Sequence, residues 1–154
     1  MSPAPKSSIA RDIGLLIGRL VIGGTMLMHG WQKFHDMGYS GVTGMFTKIG
    51  APLPEVSAVL VILLEVLGSA AFIFGLLTRP IAVLFAIDMV GAIILLHASN
   101  GFFVSNGGYE LVLLLGATAL IYAFTGPGRI ALDAVAARGW QRRGSVRSES
   151  PASA

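Results

Sequence analysis

The sequence predicts an all-α fold: a membrane-embedded four-helix bundle with its N and C termini in the cytoplasm. Three observations carry that expectation. The 154 residues are 54% hydrophobic and only 12% charged, with a mean hydropathy of +0.75, far more apolar than a typical soluble domain. Four apolar stretches each approach the roughly 20 residues that a bilayer core about 30 Å thick asks of a helix. The basic residues fall mainly on one side of the arrangement those stretches define.

Residues 1–12 are polar and rich in Ser and Pro. The apolar run behind them lacks an A-x-A-like cleavage site and is expected to stay as an anchor. The first span runs from about Ile13 to Trp31. From His35 to Pro54 lie Gly38, Gly41, Gly44 and Gly50 with the apolar Met45, Phe46, Ile49 and Leu53, a pattern that suits an interfacial segment and a short amphipathic helix. The second span, about Val56 to Leu77, and the third, about Ile81 to Ala98, form a hairpin through a tight turn at Thr78-Arg79-Pro80, since Pro starts a helix well and cannot continue one. Asn100, Gly101, Asn106 and Gly107-Gly108 mark the next turn. The fourth span, about Tyr109 to Phe124, stops at Gly126-Pro127-Gly128. Residues 13–129 thus make up the membrane domain. A basic cytoplasmic tail, 130–154, follows, with a short interfacial helix expected over Ile130 to Trp140 and disorder from Ser145 to Ala154.

Orientation follows from the loops. Lys6, Arg11, Arg79, Arg129, Arg138, Arg142, Arg143 and Arg147 share one side, and Lys33 and Lys48 the other, so both termini are read as cytoplasmic in a membrane crossed several times. The net charge of +3 and the pI near 9.7 are then explained by topology and contact with anionic lipid, not by nucleic acid. The chain has no Cys, which excludes a disulfide relay, a thiolate metal site and a Cys-ligated iron–sulfur cluster within it.

Apolar spans need no charges, and one at mid-bilayer costs at least about 2.5–3.5 kcal/mol. Arg19, Glu65 and Asp88 nevertheless sit well inside their spans. At 1.5 Å per residue, Arg19 and Asp88 lie roughly 10–12 Å from the inner boundary and Glu65 about 18 Å. Arg19 is therefore expected to pair with Asp88, Glu65 or both. Such a cluster either fixes helix packing or floors a polar cavity for a ligand or proton. Close packing is already offered by small residues, Gly14, Gly18, Gly68, Ser69, Gly91 and Gly116.

A second group is expected nearer the outer face. Arg19, Met26, His29, Gly30 and Lys33 recur at helical spacing and form a stripe facing the bundle. His97 and Glu110 come to a depth similar to that of His29, so His29, Lys33, His97 and Glu110 would line a mouth above Glu65. Each also has a plainer role: Lys33 can snorkel, Trp31 and Tyr109 can anchor at the interface, and Glu110 can stabilise a helix N-terminus. His97 lies about half a turn from Asp88 around its helix. No metal centre is assigned, because His29, His97 and the carboxylates share no ligand spacing. His35 is read as a solvated loop residue.

His29-Gly30-x-x-Lys33 closing the first span, Glu65 in the second, Gly107-Gly108-Tyr109-Glu110 opening the fourth, and Gly126-Pro127-Gly128-Arg129 with Asp133 beyond it together resemble the DoxX family of small bacterial membrane proteins. The resemblance covers nearly all of the membrane part. It implies a four-helix, multi-pass subunit of a bacterial inner (plasma) membrane associated with oxidoreductase systems, with family links to quinone-coupled thiosulfate oxidation and to oxidant-defence complexes. No Rossmann glycine fingerprint or CxxC is present, so redox work would involve a bound quinone or the cofactor of a soluble or membrane redox partner.

On that reading His29 and Glu65 transfer protons, Arg19 and Lys33 stabilise a carbonyl or anion, Asp88 balances Arg19, and His97 and Glu110 complete the outer part of the site. Two other readings stay open. In one, Glu65 and Asp88 form the relay of a small proton-coupled transporter or channel, with homo-oligomerisation supplying a pathway, although no inverted repeat is visible. In the other, the protein is a scaffold that recruits soluble redox enzymes to the bilayer.

Overall fold

A computed structural model of the chain describes residues 9–138. The described residues are helical with no strand. Helix α1 spans Ile9–Trp31 and passes through a π-helical turn, Gln32–Met37, into α2, Gly38–Lys48. Helix α3 spans Pro54–Phe74, α4 Thr78–Asn100 and α5 Glu110–Thr125. Residues 132–138 add a further helical segment. The expected disorder of Ser145 to Ala154, the end of the expected tail helix, and Lys6, Arg142, Arg143 and Arg147 lie outside the described residues.

Three helical stretches, Ile9–Lys48, Pro54–Phe74 and Thr78–Asn100, are long and apolar enough to cross a membrane. The fourth, α5, has 16 residues, which rise about 24 Å, short of a full hydrocarbon core about 30 Å thick.

Local chemistry sets the ends. Pro54 opens α3, where its missing N–H costs nothing. Gly75, at φ +72°, closes α3, a left-handed conformation that glycine adopts without strain. The turn between α3 and α4 is therefore Gly75 to Leu77, not the expected Thr78-Arg79-Pro80: Thr78 is already helical and Pro80 lies in the first turn of α4. Helix α1, Ile9–Trp31, likewise takes in the end of the segment 1–12 that is expected to be a polar cytoplasmic stretch. Gly38, at φ +65° and ψ 171°, breaks the run of helical dihedrals, so α2 leaves the line of α1.

Two apolar clusters follow from these directions. The larger joins Ile22 and Met26 of α1, Phe72 of α3, Phe85 and Met89 of α4, and Val112 and Tyr122 of α5. The Phe72 ring lies 5.4 Å from that of Phe85 and 5.2 Å from that of Tyr122, in tilted and edge-on arrangements that such rings prefer. In the smaller cluster, Val42 and Phe46 of α2 pack with Ala51 and Ala58, and Leu95 of α4 joins them. The expected amphipathic helix thus exists, and its apolar face roofs the space between α3 and α4.

A buried lysine–glutamate pair and its cavity

Where α1 crosses α3, the two backbones touch. A Cβ built on Gly30 would fall 2.6 Å from the carbonyl carbon of Glu65, so only glycine fits there. Three residues on, about one helical turn, Lys33 Nζ reaches Glu65 Oε2 at 2.6 Å. The Glu65 residue is 3% exposed, and the side chain of Lys33 is 18% exposed. Both belong to π-helical turns, Gln32–Met37 and Leu64–Gly68. A π-helical turn inserts an extra residue and re-aims the side chains beside it.

Asp88 of α4 stands beside this pair, within interaction range of both Glu65 and Lys33. Its Oδ2 is buried with no hydrogen-bond partner among the described residues. Lys33, Glu65 and Asp88 line a cavity of about 310 Å³ whose other walls include Phe46, Ile49, Val61 and Leu95. Helix α2 thus supplies part of the wall. Mixed apolar walls with a few converging polar groups are what orient a small ligand. A larger space of about 420 Å³ between α4 and α5 is lined only by apolar residues and Gly116, and so offers nothing to orient a polar head group.

The expected clusters are redrawn by these contacts. Arg19 pairs with neither Asp88 nor Glu65. It is 1% exposed, donates from Nη2 to Ile130 O, and packs against Gly75, where any Cβ would collide with its Nη1. The reason is register. Gly30 lies opposite Glu65 and Arg19 opposite Gly75, ten residues further along α3, about 15 Å at 1.5 Å per residue. Helix α1 starts beyond the α3–α4 turn, so the depth of Arg19 in its own span misreported its neighbours.

Around Arg19 the chain ends are tied together. Asp133 accepts from Leu77 N–H at 2.9 Å and Thr78 N–H at 3.0 Å, capping α4 from 55 residues away and holding Leu77 at φ +51°. Its own N–H donates to Gly75 O at 2.9 Å. Asp12 accepts from Arg129 N–H at 3.0 Å, and Tyr122 Oη donates to Leu15 O at 2.7 Å. In the sequence Asp133 stands only as part of a motif. A carboxylate just past a Gly-Pro-Gly helix stop was the available signal.

The expected outer mouth does not assemble either. His29 is exposed and lines a shallow recess with Met28, Trp31, Gln32 and Asp36, since 100° per residue puts it about 80° from Arg19, at the edge of the stripe. Met26 and Gly30 of that stripe are buried as expected. His97 Nδ1 lies 2.7 Å from Gly107 O, and Glu110 accepts from Val104 N–H at 3.0 Å. Both residues fasten the loop between α4 and α5.

Apolar helices, a close glycine crossing and an ion pair buried beside a cavity define an integral membrane protein with a polar site inside its helix packing. Residues 14–98 match the family model described as DoxX, and the chain belongs to that family. It is 35% identical over 88% of its length to 95% of a Bacillus subtilis protein named "Putative oxidoreductase CatD". It is 30% identical over 80% of its length to 91% of the Escherichia coli inner membrane protein YphA, and 31% identical over 84% of its length to 96% of the E. coli inner membrane protein YqjF. No solved structure matches it.

Proposed function

We propose that this chain is a multi-pass subunit of an oxidoreductase system in a bacterial inner membrane, with four spans and both termini cytoplasmic, that holds a quinone-like ligand in the cavity beside Lys33, Glu65 and Asp88. The observation that carries the reading is the 2.6 Å Lys33–Glu65 pair buried on the wall of a space of about 310 Å³. That volume is within the ordinary range for small-molecule sites, about 300–1,000 Å³. A flat apolar ring fits between Phe46, Val61 and Leu95, while its polar edge meets the charged residues. A quinone supplies two-electron, two-proton chemistry when bound, and electrons come from a partner. Lys33 stabilises an oxygen that gains negative charge, and Glu65 and Asp88 hold and exchange protons at their carboxyl oxygens. His29, one turn from Lys33 and exposed, exchanges protons with the outside. The printed name of the B. subtilis relative is consistent with this class of chemistry.

The test is co-purification in native lipid followed by extraction and mass analysis. Wild-type protein is expected to retain quinone, and Glu65→Gln and Lys33→Met to lose it. Wild-type protein free of quinone overturns the reading. The side-by-side carboxyl groups of Glu65 and Asp88 also support a second reading, a proton pathway without a redox ligand. Glu65-dependent acidification of proteoliposomes in the absence of quinone would favour it.

A further inference from the structure

We infer that the loop between α4 and α5 is seated in lipid: Phe102, Phe103 and Val104 insert into the bilayer leaflet at the Glu110 end of α5, at the boundary between headgroups and acyl chains. This surface is separate from the Lys33–Glu65 cavity, and its role holds whatever that cavity binds. Three consecutive apolar side chains stand exposed there, Phe102 at 44%, Phe103 at 62% and Val104 at 55%. From Met89 to Tyr109 the sequence has no Asp, Glu, Lys or Arg, so no fixed charge opposes contact with acyl chains. The helices that the loop joins also expose apolar side chains, Ile94 on α4 and Leu111 and Leu114 on α5, and the loop carries that lipid-contacting surface past the end of each. Length points the same way. The 16 residues of α5 rise about 24 Å against about 30 Å of hydrocarbon, which draws the segments flanking it into the boundary.

Non-helical backbone near acyl chains must have its polar groups satisfied, because lipid offers no partner. This loop does so internally. Tyr109 N–H donates to Gly101 O at 3.1 Å, Glu110 N–H to Phe102 O at 2.9 Å, and Asn106 and Gly108 N–H both to Phe103 O at 3.0 Å. The Glu110 carboxylate accepts from Val104 N–H at 3.0 Å, and Gly107 O takes both His97 Nδ1 at 2.7 Å and Asn100 Nδ2 at 3.3 Å. A Cβ on Gly108 would fall 2.2 Å from Gly101 O, so the two ends of the loop are pressed together. The polar groups thus face inward on one another, while the two phenylalanine rings, edge-on at 5.4 Å, face out. A loop built for water has no need of that division; a lipid boundary requires it.

The chain has no Cys, so a nitroxide label can be placed at a single position of the full-length protein. Phe103→Cys and Val104→Cys are each labelled and placed in nanodiscs of phosphatidylethanolamine and phosphatidylglycerol, with Ile94→Cys on α4 as the lipid-facing reference. Electron paramagnetic resonance then compares relaxation by dissolved oxygen, which concentrates among acyl chains, with relaxation by a neutral nickel chelate, which stays in water. Both loop labels are expected to respond more to oxygen than to the chelate, at a depth of about 5–10 Å and shallower than Ile94. A stronger response to the chelate places the loop in water and overturns the inference. Shielding from both reagents means that protein, a second copy or another subunit, covers the patch, and overturns it as well. Both positions are exposed, and either variant decides the question should the other fail to fold.

Discussion

Gly30 and Glu65 meet backbone to backbone: a Cβ on Gly30 would stand 2.6 Å from the Glu65 carbonyl carbon. Everything distinctive about the site follows from that crossing. It sets α1 against α3 closely enough for Lys33 to reach Glu65, and it fixes a register in which Arg19 lies elsewhere.

Gly30→Ala is therefore expected to destabilise the protein by about 1–3 kcal/mol, the usual penalty for overpacking, because its neighbours are the carbonyl carbon, carbonyl oxygen and Cβ of Glu65, which cannot swing aside. Thermal unfolding in detergent measures it. A control, Gly24→Ala, has open space around its Cβ and should shift stability little.

Removing one member of the ion pair leaves the other buried and alone. Lys33→Met is expected to cost about 3–5 kcal/mol, and Lys33→Met combined with Glu65→Leu to regain most of that loss. A double-mutant cycle on unfolding in micelles gives the coupling directly.

Arg19 and the site should separate in function as they do in space. Arg19→Gln leaves the Ile130 carbonyl without its donor and is expected to lower stability. Protein that folds should keep wild-type ligand affinity, whereas Glu65→Gln should lose it. Equal loss of affinity in both variants, read by equilibrium dialysis, would contradict two independent clusters.

Asp133→Ala removes both acceptors from the start of α4. A lost helix cap costs about 0.5–2 kcal/mol. Melting temperature should fall while ligand retention per folded molecule stays unchanged.

The fold was legible to the extent that it depends on local composition. Apolar length and Gly/Pro punctuation located α3, α4 and α5 to within a few residues, and the glycine-rich stretch before Pro54 pointed to α2. What escaped was relative register. Nothing in the hydropathy of the first span says that α1 begins at Ile9 and overshoots the Gly75 turn, and that overshoot moves Arg19 about 15 Å from Glu65. The two π-helical turns that hold Lys33 and Glu65 were also invisible, because a single widened turn leaves no periodic signature. Glu65 and Asp88 were found by the cost of a charge among apolar neighbours, a local signal. Lys33 was assigned to a separate outer group because its partner lies 32 residues away.

The most direct measurement is photolabelling of the protein in nanodiscs with an azido-quinone, followed by peptide mapping. Adducts on Phe46, Val61 or Leu95 that disappear on competition with unlabelled quinone and in Lys33→Met are the predicted result. Labelling confined to the apolar space between α4 and α5, at Val90 or Leu113, or labelling indifferent to Lys33 and to competitor, would contradict a ligand site at the Lys33–Glu65 pair.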